Sequence, residues 1–586
     1  MNSVVSPHHQ RSMRLYDGVV AVALLLMVTA LSWTTRILYW LFDDAFHLLF
    51  LLEHGPTGYL FAPSVWKQLP FQMFTPLQMI SYEIDLRLFG INAQGFYAHQ
   101  LAGIALSTLC LYVTIRLFLT TWTAAFGVVA FFTGAVTIEW VHLLMLRHYV
   151  EGFICACLAF VTFVLAIRKN QNWRSWLSGF LYLFSGLFKE VFVPLPFLLL
   201  VSPVGPITDR LRYLRPHLLF LMIYLVWRYT MLGTLLGGYG WSVRGDDWAE
   251  LIVGLPAKFW NVMFGAAPVA GGIILLTFLG SVITLTIRSR AALGRVAWAA
   301  VLAIAPIVPV STVLERRYAV LLWLLIVVVI ACACEHYLSG KKISLDGVRA
   351  QASGPPSYRN ALVVALVLVV VTGASIRLHA AERARTIPLL ERMSVEGRSL
   401  MRMEEGDILR HPAIPPAALN GLRMLGEKFL GARAGVRWFY DDIQLCEPSG
   451  IGEGVPYQAS EISSQHSFWQ YSETTGVVEI VTAIMPAIAS SHCGSIRWDV
   501  PLEGEFRMEG GALQWTLGPY QRGTYSFILD NGTQKYEMPR EGGFRLGPVE
   551  TLPMRLRYDS PEGWTTYSPE LVLDFRTDGR DEWRRR

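Results

Sequence analysis

Residues 38–52 read LYWLFDDAFHLLFLL. Two adjacent carboxylates, Asp43 and Asp44, end an apolar run that starts at Val19 and continues through Trp33 to Phe42. That run is about one bilayer crossing long. It lacks the short apolar core and small-residue cleavage site of a removable leader. It therefore reads as an uncleaved first span, with MNSVVSPHHQRSMRLYDG in the cytoplasm and the acids at the far end. A carboxylate near the bilayer centre costs roughly 2.5–3.5 kcal/mol on insertion scales, and less at the interface. Two side by side repel, so one holds its proton more readily, a condition suited to acid–base exchange. A solvated span end, or a cap on the following helix, is the plain alternative and carries about equal weight.

Composition agrees with a span. The 586-residue chain is 53% hydrophobic and only 16% charged, against about 25% charged in soluble domains. Its 19 Trp and 23 Tyr are side chains that gather at headgroup depth. These features describe an integral membrane protein in a lipid bilayer, with length left over for a separate soluble domain. Net charge is +5, and no basic, aromatic-interleaved stripe points to a nucleic-acid partner.

Eleven apolar stretches are candidate spans: roughly 17–40, 97–118, 121–139, 149–167, 175–188, 191–203, 216–234, 259–287, 296–313, 318–338 and 361–377. The fifth and sixth are short and also suit a re-entrant pair. With the N-terminus inside, the inner loops collect Arg11 and Arg14; Arg116; Arg168, Lys169 and Arg174; Arg210, Arg212 and Arg215; Arg288, Arg290 and Arg295; then Lys341, Lys342, Arg349 and Arg359. That asymmetry satisfies the positive-inside rule. Asp43, Asp44 and everything after residue 377 then lie outside the cytoplasm.

Three regions follow. Residues 1–377 form a transmembrane domain whose first outer loop, 41–95, is amphipathic and long for a plain connection. Residues 378–435 read as a helical connector with Pro breaks. Residues 436–586 read as an extracytoplasmic β-rich domain, from VRWFY, VVEIVTAIM, SIRWDV, ALQWTL, TYSFIL, TQKYEM, MRLRY and LVLDF. TYSFIL-DNG-TQKYEM is a hairpin signal, and the set suggests a sandwich or jelly roll. SGKKISLDGVRAQASGPPSYRN reads as an inner, flexible loop. Cys446 and Cys493 stand in the outer region, where a disulfide between them can persist. Cys110, Cys155, Cys157, Cys332 and Cys334 read as small buried hydrophobes.

Several segments could carry chemistry. PIVPVSTVLERRYAVLLWLL (306–325) places Glu315, Arg316, Arg317 and Tyr318 between two spans on the outer face, against the charge bias. Guanidinium forks match phosphate, so an anionic headgroup is a natural ligand; a Glu–Arg pair with one snorkelling arginine is the alternative. SGLFKEVFVPLP places Lys189 and Glu190 on the same side, equally readable as a self-neutralising pair. TIEWVHLLMLRHY offers Glu139, His142, Arg147 and His148 at the second outer turn. LLGGYGW follows no strand and precedes no P-loop lysine, which argues against nucleotide binding. An outer-face transferase therefore needs a lipid-carried donor.

Taken in order, Asp43-Asp44, FTPLQMISYEIDLRLFGINAQGFYAHQLAG, FKEVFVPLP and PIVPVSTVLERRYAVLLW resemble the GT-C class of membrane glycosyltransferases, which includes protein O-mannosyltransferases and aminoarabinose transferases. The resemblance covers about residues 15–335. It implies an α-helical polytopic fold of about 11 spans, here followed by the mainly-β outer domain, in a bacterial inner membrane. It also implies a polyprenyl-phosphate-linked sugar donor and a glycan, lipid or protein acceptor. Asp44 or Asp43 would act as general base, with preference for Asp44 and with Asp43 orienting it. Arg316 and Arg317, with Lys189, Arg147 and Tyr318, would surround the departing lipid phosphate. Glu139, His142, Glu190 and Glu315 would be acceptor-side or second acidic groups. Some relatives place a divalent cation near the acids, so Mg²⁺ or Mn²⁺ is a possible cofactor. The competing class is a glycolipid flippase, which the few mid-membrane charges disfavour; a membrane anchor for the β-domain ranks last.

Overall fold

The structure, a computed structural model, describes residues 7–67, 73–235, 247–288, 290–308, 314–339, 358–430, 436–446, 467–509, 512–529, 532–545, 551–574 and 584–585. Most of the inner loop expected at 339–360, LLGGYGW from its second Leu on (residues 236–241), and parts of the WKQLPFQMF and PIVPVSTV segments lie outside them. By contacts the chain forms two units. One is Met1–Trp40 with His47–Leu390; the other is Leu41–Phe46 with Glu391–Arg586.

The first unit is helical. Among the described residues, six helices are long and apolar enough to cross a membrane: Leu15–Ile37, Ala93–Arg116, Leu144–Lys169, Pro268–Ile287, Arg316–Leu338 and Tyr358–Leu400. Thr121–Phe132 and Ala135–His142 are apolar enough as a pair and bent by 69°, the form of a broken span or a re-entrant loop. The expected eleven are not reached by this measure, for two physical reasons. Asn172–Phe188 has 17 residues and Glu190–Val201 is a short apolar helix. Ile207–Leu232 carries Arg210, Arg212, Arg215 and Arg228, which lower its apolar content.

The bend has a local cause. Gly134 faces Trp323, whose indole would collide with any added Cβ. Trp323 is buried and donates its Nε1–H to the Phe131 carbonyl at 3.0 Å. Thr137 Oγ1 donates to the Gly134 and Phe132 carbonyls at 2.8 and 3.0 Å. Those side chains replace helix hydrogen bonds lost at the break, as a broken span in an apolar medium requires.

The first outer loop is largely helical, as expected from its amphipathic pattern. Its helices are Asp44–Phe61, Pro63–Lys67 and Pro76–Phe89. Polar anchors hold it. Arg147 pairs with Asp85, both side chains 1% exposed, and donates to the Phe96 carbonyl at 2.7 Å. Ser81 Oγ donates to Glu151 at 2.5 Å, and Tyr59 Oη donates to Glu83 at 2.9 Å.

The helix Tyr358–Leu400 runs 43 residues without interruption, through Pro388. The expected boundary at 377/378 therefore falls inside a helix, and the contact boundary comes at Leu390/Glu391. The Pro break expected at HPAIPPAAL is present: residues 411–415 are not helical, and the next helix, Pro416–Leu430, begins on a proline.

The second unit combines three sheets. Arg437–Phe439, Ile408–Arg410 and Phe468–Ser472 lie parallel in that order, and Val477–Ile480 adds antiparallel to the last. Thr551–Asp559 is flanked antiparallel by Thr524–Leu529 and Leu571–Asp574. Glu503–Glu509, Ala512–Gly518 and Glu541–Arg545 make a third, antiparallel sheet. Phe506, Leu513, Trp515 and Leu517 of the third sheet share a core with Phe527, Met554 and Leu556 of the second, a sandwich-like packing. The expected hairpin forms, with Tyr525 opposite Met538 and Leu529 opposite Gln534. Two expected strands differ. TAIM enters a 3₁₀ turn and the helix Met485–Ser495, and SIRWDV contributes only the bridge Ile496–Thr565. Ile408–Arg410, inside the expected helical connector, is a buried central strand.

A polar network and a covalent bond tie this unit together. Arg410 and Asp442 pair in the interior, and His411 Nε2 lies 3.0 Å from the same carboxylate. Cys446 and Cys493 form a disulfide with Cα atoms 5.3 Å apart. Burial alone would push the Asp442 carboxyl up, but His411 and the Arg410 guanidinium outweigh it and hold it well below the usual carboxylate range. Its stabilising contribution is thus full above the unfolded value of about 3.9 and is lost as pH falls towards the folded value. Thermal midpoints of this unit should fall as pH drops below about 4, and Asp442→Asn should lower the pH 7 midpoint while flattening that acid limb. The disulfide closes a 47-residue separation; the chain-entropy model assigns such a loop about 4 kcal/mol. Cys446→Ser should lower the unfolding midpoint of the unit, and reductant should shift the wild type but not the variant.

Candidate functional site

The two acids occupy a closed turn. The Asp44 amide donates to the Leu41 carbonyl at 3.0 Å, and Asp44 Oδ2 accepts from the Leu41 amide at 2.9 Å. Phe42 between them has φ +45°, a conformation costing a bulky residue about 1–3 kcal/mol. Asp44 is fully buried, whereas Asp43 is exposed. The segment is seated on the helix Pro416–Leu430 of its own unit. A Cβ on Gly421 would stand 3.3 Å from Ala45 Cβ and 3.1 Å from the Phe46 ring, so glycine permits that close approach. The strained turn is thus held from both ends, with one acid as its clasp and the other presented outward.

The first unit brings together a second group. Lys189 caps the C-terminus of the helix Asn172–Phe188, its amide bonded to the Ser185 carbonyl at 3.0 Å. Its side chain is 7% exposed. The ammonium lies 4.9 Å from the Tyr149 ring centroid and 3.2 Å from Met73 Sδ. Among the described residues no carboxylate reaches ion-pair distance of it. Arg317 and Arg228 are within electrostatic range of Lys189, and buried His148 is within range of Lys189, His47 and Arg317. Arg317 pairs with Glu315 at 2.5 Å and lies over the Tyr318 ring at 5.3 Å. The result is a group of two buried cations, Lys189 and Arg317, with Glu315 paired to the second and the His148 and His47 rings near by.

Lys189 and Glu190 do not neutralise each other. Glu190 pairs instead with Arg228 and accepts the Phe74 amide at 2.8 Å. Arg316 also turns away from the cluster's role. Its Nη1 lies 2.8 Å from Glu382 and 3.4 Å from Glu139, and its Nε donates to the Val262 carbonyl at 3.1 Å. Arg147 is engaged by Asp85 and Phe96, as described above. His142 shares Thr34 Oγ1 at 3.0 Å, and its Nδ1 faces the Ile138 carbonyl at 2.8 Å. Of the five residues expected around a phosphate, Lys189, Arg317 and Tyr318 are grouped, while Arg316 and Arg147 serve ion pairs. Glu382 and Arg228 were not singled out in the sequence. Glu382 lies in AAERARTI just beyond the last apolar run, and only the continuation of that helix brings it to Arg316.

Among the described residues no group of three or more His, Cys, Asp or Glu is placed to hold a metal ion.

No family model matches the chain, and no curated protein matches it. Among solved structures it is similar to ArnT from Cupriavidus metallidurans bound to undecaprenyl phosphate, at 14% identity, covering 80% of this chain and 94% of that one with a TM-score of 0.38. It is also similar to the oligosaccharyltransferase AglB from Archaeoglobus fulgidus in complex with an inhibitory peptide and a dolichol-phosphate, at 10% identity, 88% and 74% coverage and TM-score 0.38. The same archaeon's oligosaccharyltransferase tethered with an acceptor peptide gives 10% identity and TM-score 0.38, over 71% of this chain and 63% of that one. The chain thus spans less than two thirds of that last protein. ArnT and AglB are both GT-C glycosyltransferases, the class the sequence resembles.

A buried cation without a counter-ion lowers stability. Lys189→Met keeps the stem's packing and removes the charge, so it should raise the thermal midpoint of the first unit by a few degrees. The same variant should lose the stabilisation that added undecaprenyl phosphate gives the wild type. Both readouts come from one thermal-shift series in detergent.

Proposed function

We propose that the protein is a membrane glycosyltransferase that moves a sugar from a polyprenyl-phosphate donor to a hydroxyl acceptor outside the cytoplasm. The observation that carries this reading is the buried side chain of Lys189, near the Arg317–Glu315 pair and with no carboxylate at ion-pair distance of it among the described residues. An anion delivered within the lipid phase supplies the missing counter-charge, and a phosphate on a polyprenyl chain is such an anion. Arg317 offers the forked donors and Lys189 the point charge. Both would stabilise negative charge as the phosphate leaves.

Asp43 is the better base of the two acids. Asp44 spends an oxygen on the Leu41 amide and is closed off from solvent, which suits a positioning residue. Asp43, exposed in the same turn, can take the acceptor's hydroxyl proton while that oxygen attacks the anomeric carbon. The bond from the anomeric carbon to the phosphate oxygen breaks, and polyprenyl phosphate leaves with the electron pair. In-line attack of this kind inverts the configuration. The arginine- and lysine-rich loops place this chemistry on the non-cytoplasmic face by the positive-inside rule, in a bacterial inner membrane.

The test is sugar release from a panel of polyprenyl-phosphate sugars (mannose, glucose and aminoarabinose) by the purified full-length chain in detergent. Asp43→Asn should reduce kcat by about 10²–10⁴-fold with donor binding retained, whereas Asp44→Asn should lower the thermal midpoint as well. Loss of rate on Asp44→Asn alone, with stability intact, would reverse the two assignments. No release from any donor, together with lipid translocation in proteoliposomes, would instead establish the flippase.

A further inference from the structure

The second unit holds a concavity that takes no part in the chemistry above. It opens beside the hairpin Thr524–Leu529 and Gln534–Met538. Its volume is about 330 Å³, and its lining includes Gln521, Thr524, Tyr525, Glu537 and Arg540. That size falls at the lower end of small-molecule sites, which run from about 300 to 1,000 Å³.

The frame around it is fixed from both sides. Gly523 has φ +100°, and a Cβ there would stand 2.5 Å from the Asp559 carbonyl oxygen and 2.7 Å from the Tyr558 side chain. Glycine thus lets the loop lie directly on the strand Thr551–Asp559, where Tyr558 Oη also donates to the Arg522 carbonyl. Tyr525 Oη accepts from the Tyr520 amide and donates to the Tyr520 carbonyl, both at 2.9 Å. The Tyr520 ring stacks on Tyr558 at 4.5 Å and meets Trp564 at 5.5 Å. Gln521, next in the chain, is therefore carried on a locked backbone. On the other side Trp515 Nε1 donates to the Pro539 carbonyl at 3.0 Å, and Arg540 Nε donates to the Leu517 carbonyl at 3.1 Å.

Within this frame the polar groups are uncommitted. Gln521, Thr524, Glu537 and Arg540 are all exposed. Among the described residues the side chains of Gln521, Thr524 and Glu537 make no hydrogen bond or ion pair, and Arg540 uses only its Nε. Glu537 and Arg540 line one concavity without pairing with each other. An anion there meets the carboxylate and a cation meets the guanidinium, so neither gains a net attraction. A neutral hydroxyl donates to the first and accepts from the second, and the Gln521 amide and Thr524 hydroxyl work in either direction. Neighbouring hydroxyls on one ring engage several of these groups at once, and bonds to charged partners are the stronger ones.

We infer that this concavity binds a saccharide, the glycan part of the acceptor. That the saccharide is the acceptor rests on the transferase reading above; that one binds does not. The site adds affinity and contributes no group to bond making, so it acts on KM and not on kcat.

Saturation-transfer difference NMR on the full-length protein in lipid nanodiscs, free of sugar-based detergent, provides the test. The probes are glucose, galactose, mannose, N-acetylglucosamine, lactose, cellobiose and chitobiose, with methyl phosphate, methylamine and glycine as charged comparisons. At least one saccharide should bind saturably. Gln521→Ala and Glu537→Ala should each weaken it about tenfold with the thermal midpoint unchanged, since neither side chain has a partner to lose. No saccharide binding, or binding that both variants retain in full, overturns the inference. Methyl phosphate binding lost only in Arg540→Gln, methylamine binding lost only in Glu537→Ala, or glycine binding lost in both overturns it too, giving the site to an anion, a cation or a zwitterion. With the bound saccharide as acceptor in the transfer assay, Glu537→Ala should raise its KM about tenfold and leave kcat as it is. An unchanged KM, or no transfer to that saccharide by protein that does release sugar from its donor, overturns the acceptor assignment. Protein that releases no sugar from any donor fails the transferase reading instead, and the binding result stands apart from it.

Discussion

A charge inside an apolar helical unit survives where a counter-charge meets it, and that constraint arranges the first unit. Arg147 meets Asp85, Arg228 meets Glu190, and Arg316 meets Glu382 and Glu139. Each pair joins segments far apart in sequence, so each works as a tie between helices. The desolvation penalty of such ions is recovered only with close geometry and further hydrogen bonds, which Phe96, Phe74 and Val262 supply from the backbone. The ties also make register specific: moving any of these helices by one residue would strand an ion. Against that background Lys189 stands out, because its environment is an aromatic ring, a thioether and other cations. The rule that accounts for the pairs is met here only at longer range, through Glu315.

The second unit is built on other terms. It has two sheets sharing one apolar core, a disulfide, and a buried network in which Asp441 accepts from Tyr567 at 2.9 Å and pairs with Arg557. His492 follows the same logic from the other side: burial lowers its pKa, against the opposing pull of Asp442 and Asp441. Its neighbour Cys493 is bonded to Cys446, so the covalent link and the polar network reinforce one region. The chain carries two stability strategies, one tying apolar helices together by buried ion pairs and one joining sheets by a polar network and a disulfide.

How far the sequence shows this differs by element. Long apolar spans are legible because twenty apolar residues have few other uses, and the hairpin at 524–538 is legible because alternation and a DNG turn coincide. The strand Glu503–Glu509 carries little apolar signal in sequence, since EGEFRME interleaves Glu and Arg with a single aromatic, Phe506, which joins the core. The strand Ile408–Arg410 was missed because three residues in a Pro-rich setting carry no period. In the site, residue types were legible and partners were not. Arg316 and Arg317 are identical in composition and neighbours in sequence, and only Glu382, reached by an unbroken helix, separates them. Likewise Lys189-Glu190 looks like a local pair, yet Glu190 bonds Arg228 from another helix. Local charge patterns name the ions, but tertiary contacts choose their mates.

The acid pair follows the same division. In sequence the preference between Asp43 and Asp44 rests on almost nothing, since both follow the same apolar run. In the folded turn one oxygen of Asp44 closes the backbone back on Leu41, and Phe42 is held in a left-handed conformation that its side chain disfavours. A strained conformation of this kind persists only where the surroundings over-determine it, and here they are the Asp44 clasp and the Gly421 seat. What that strain maintains is the outward presentation of Asp43. A relaxed turn would let the helix begin earlier and draw Asp43 into its first turn, where a carboxylate caps backbone amides. The buried acid and the strained phenylalanine are therefore the means by which the neighbouring acid stays exposed.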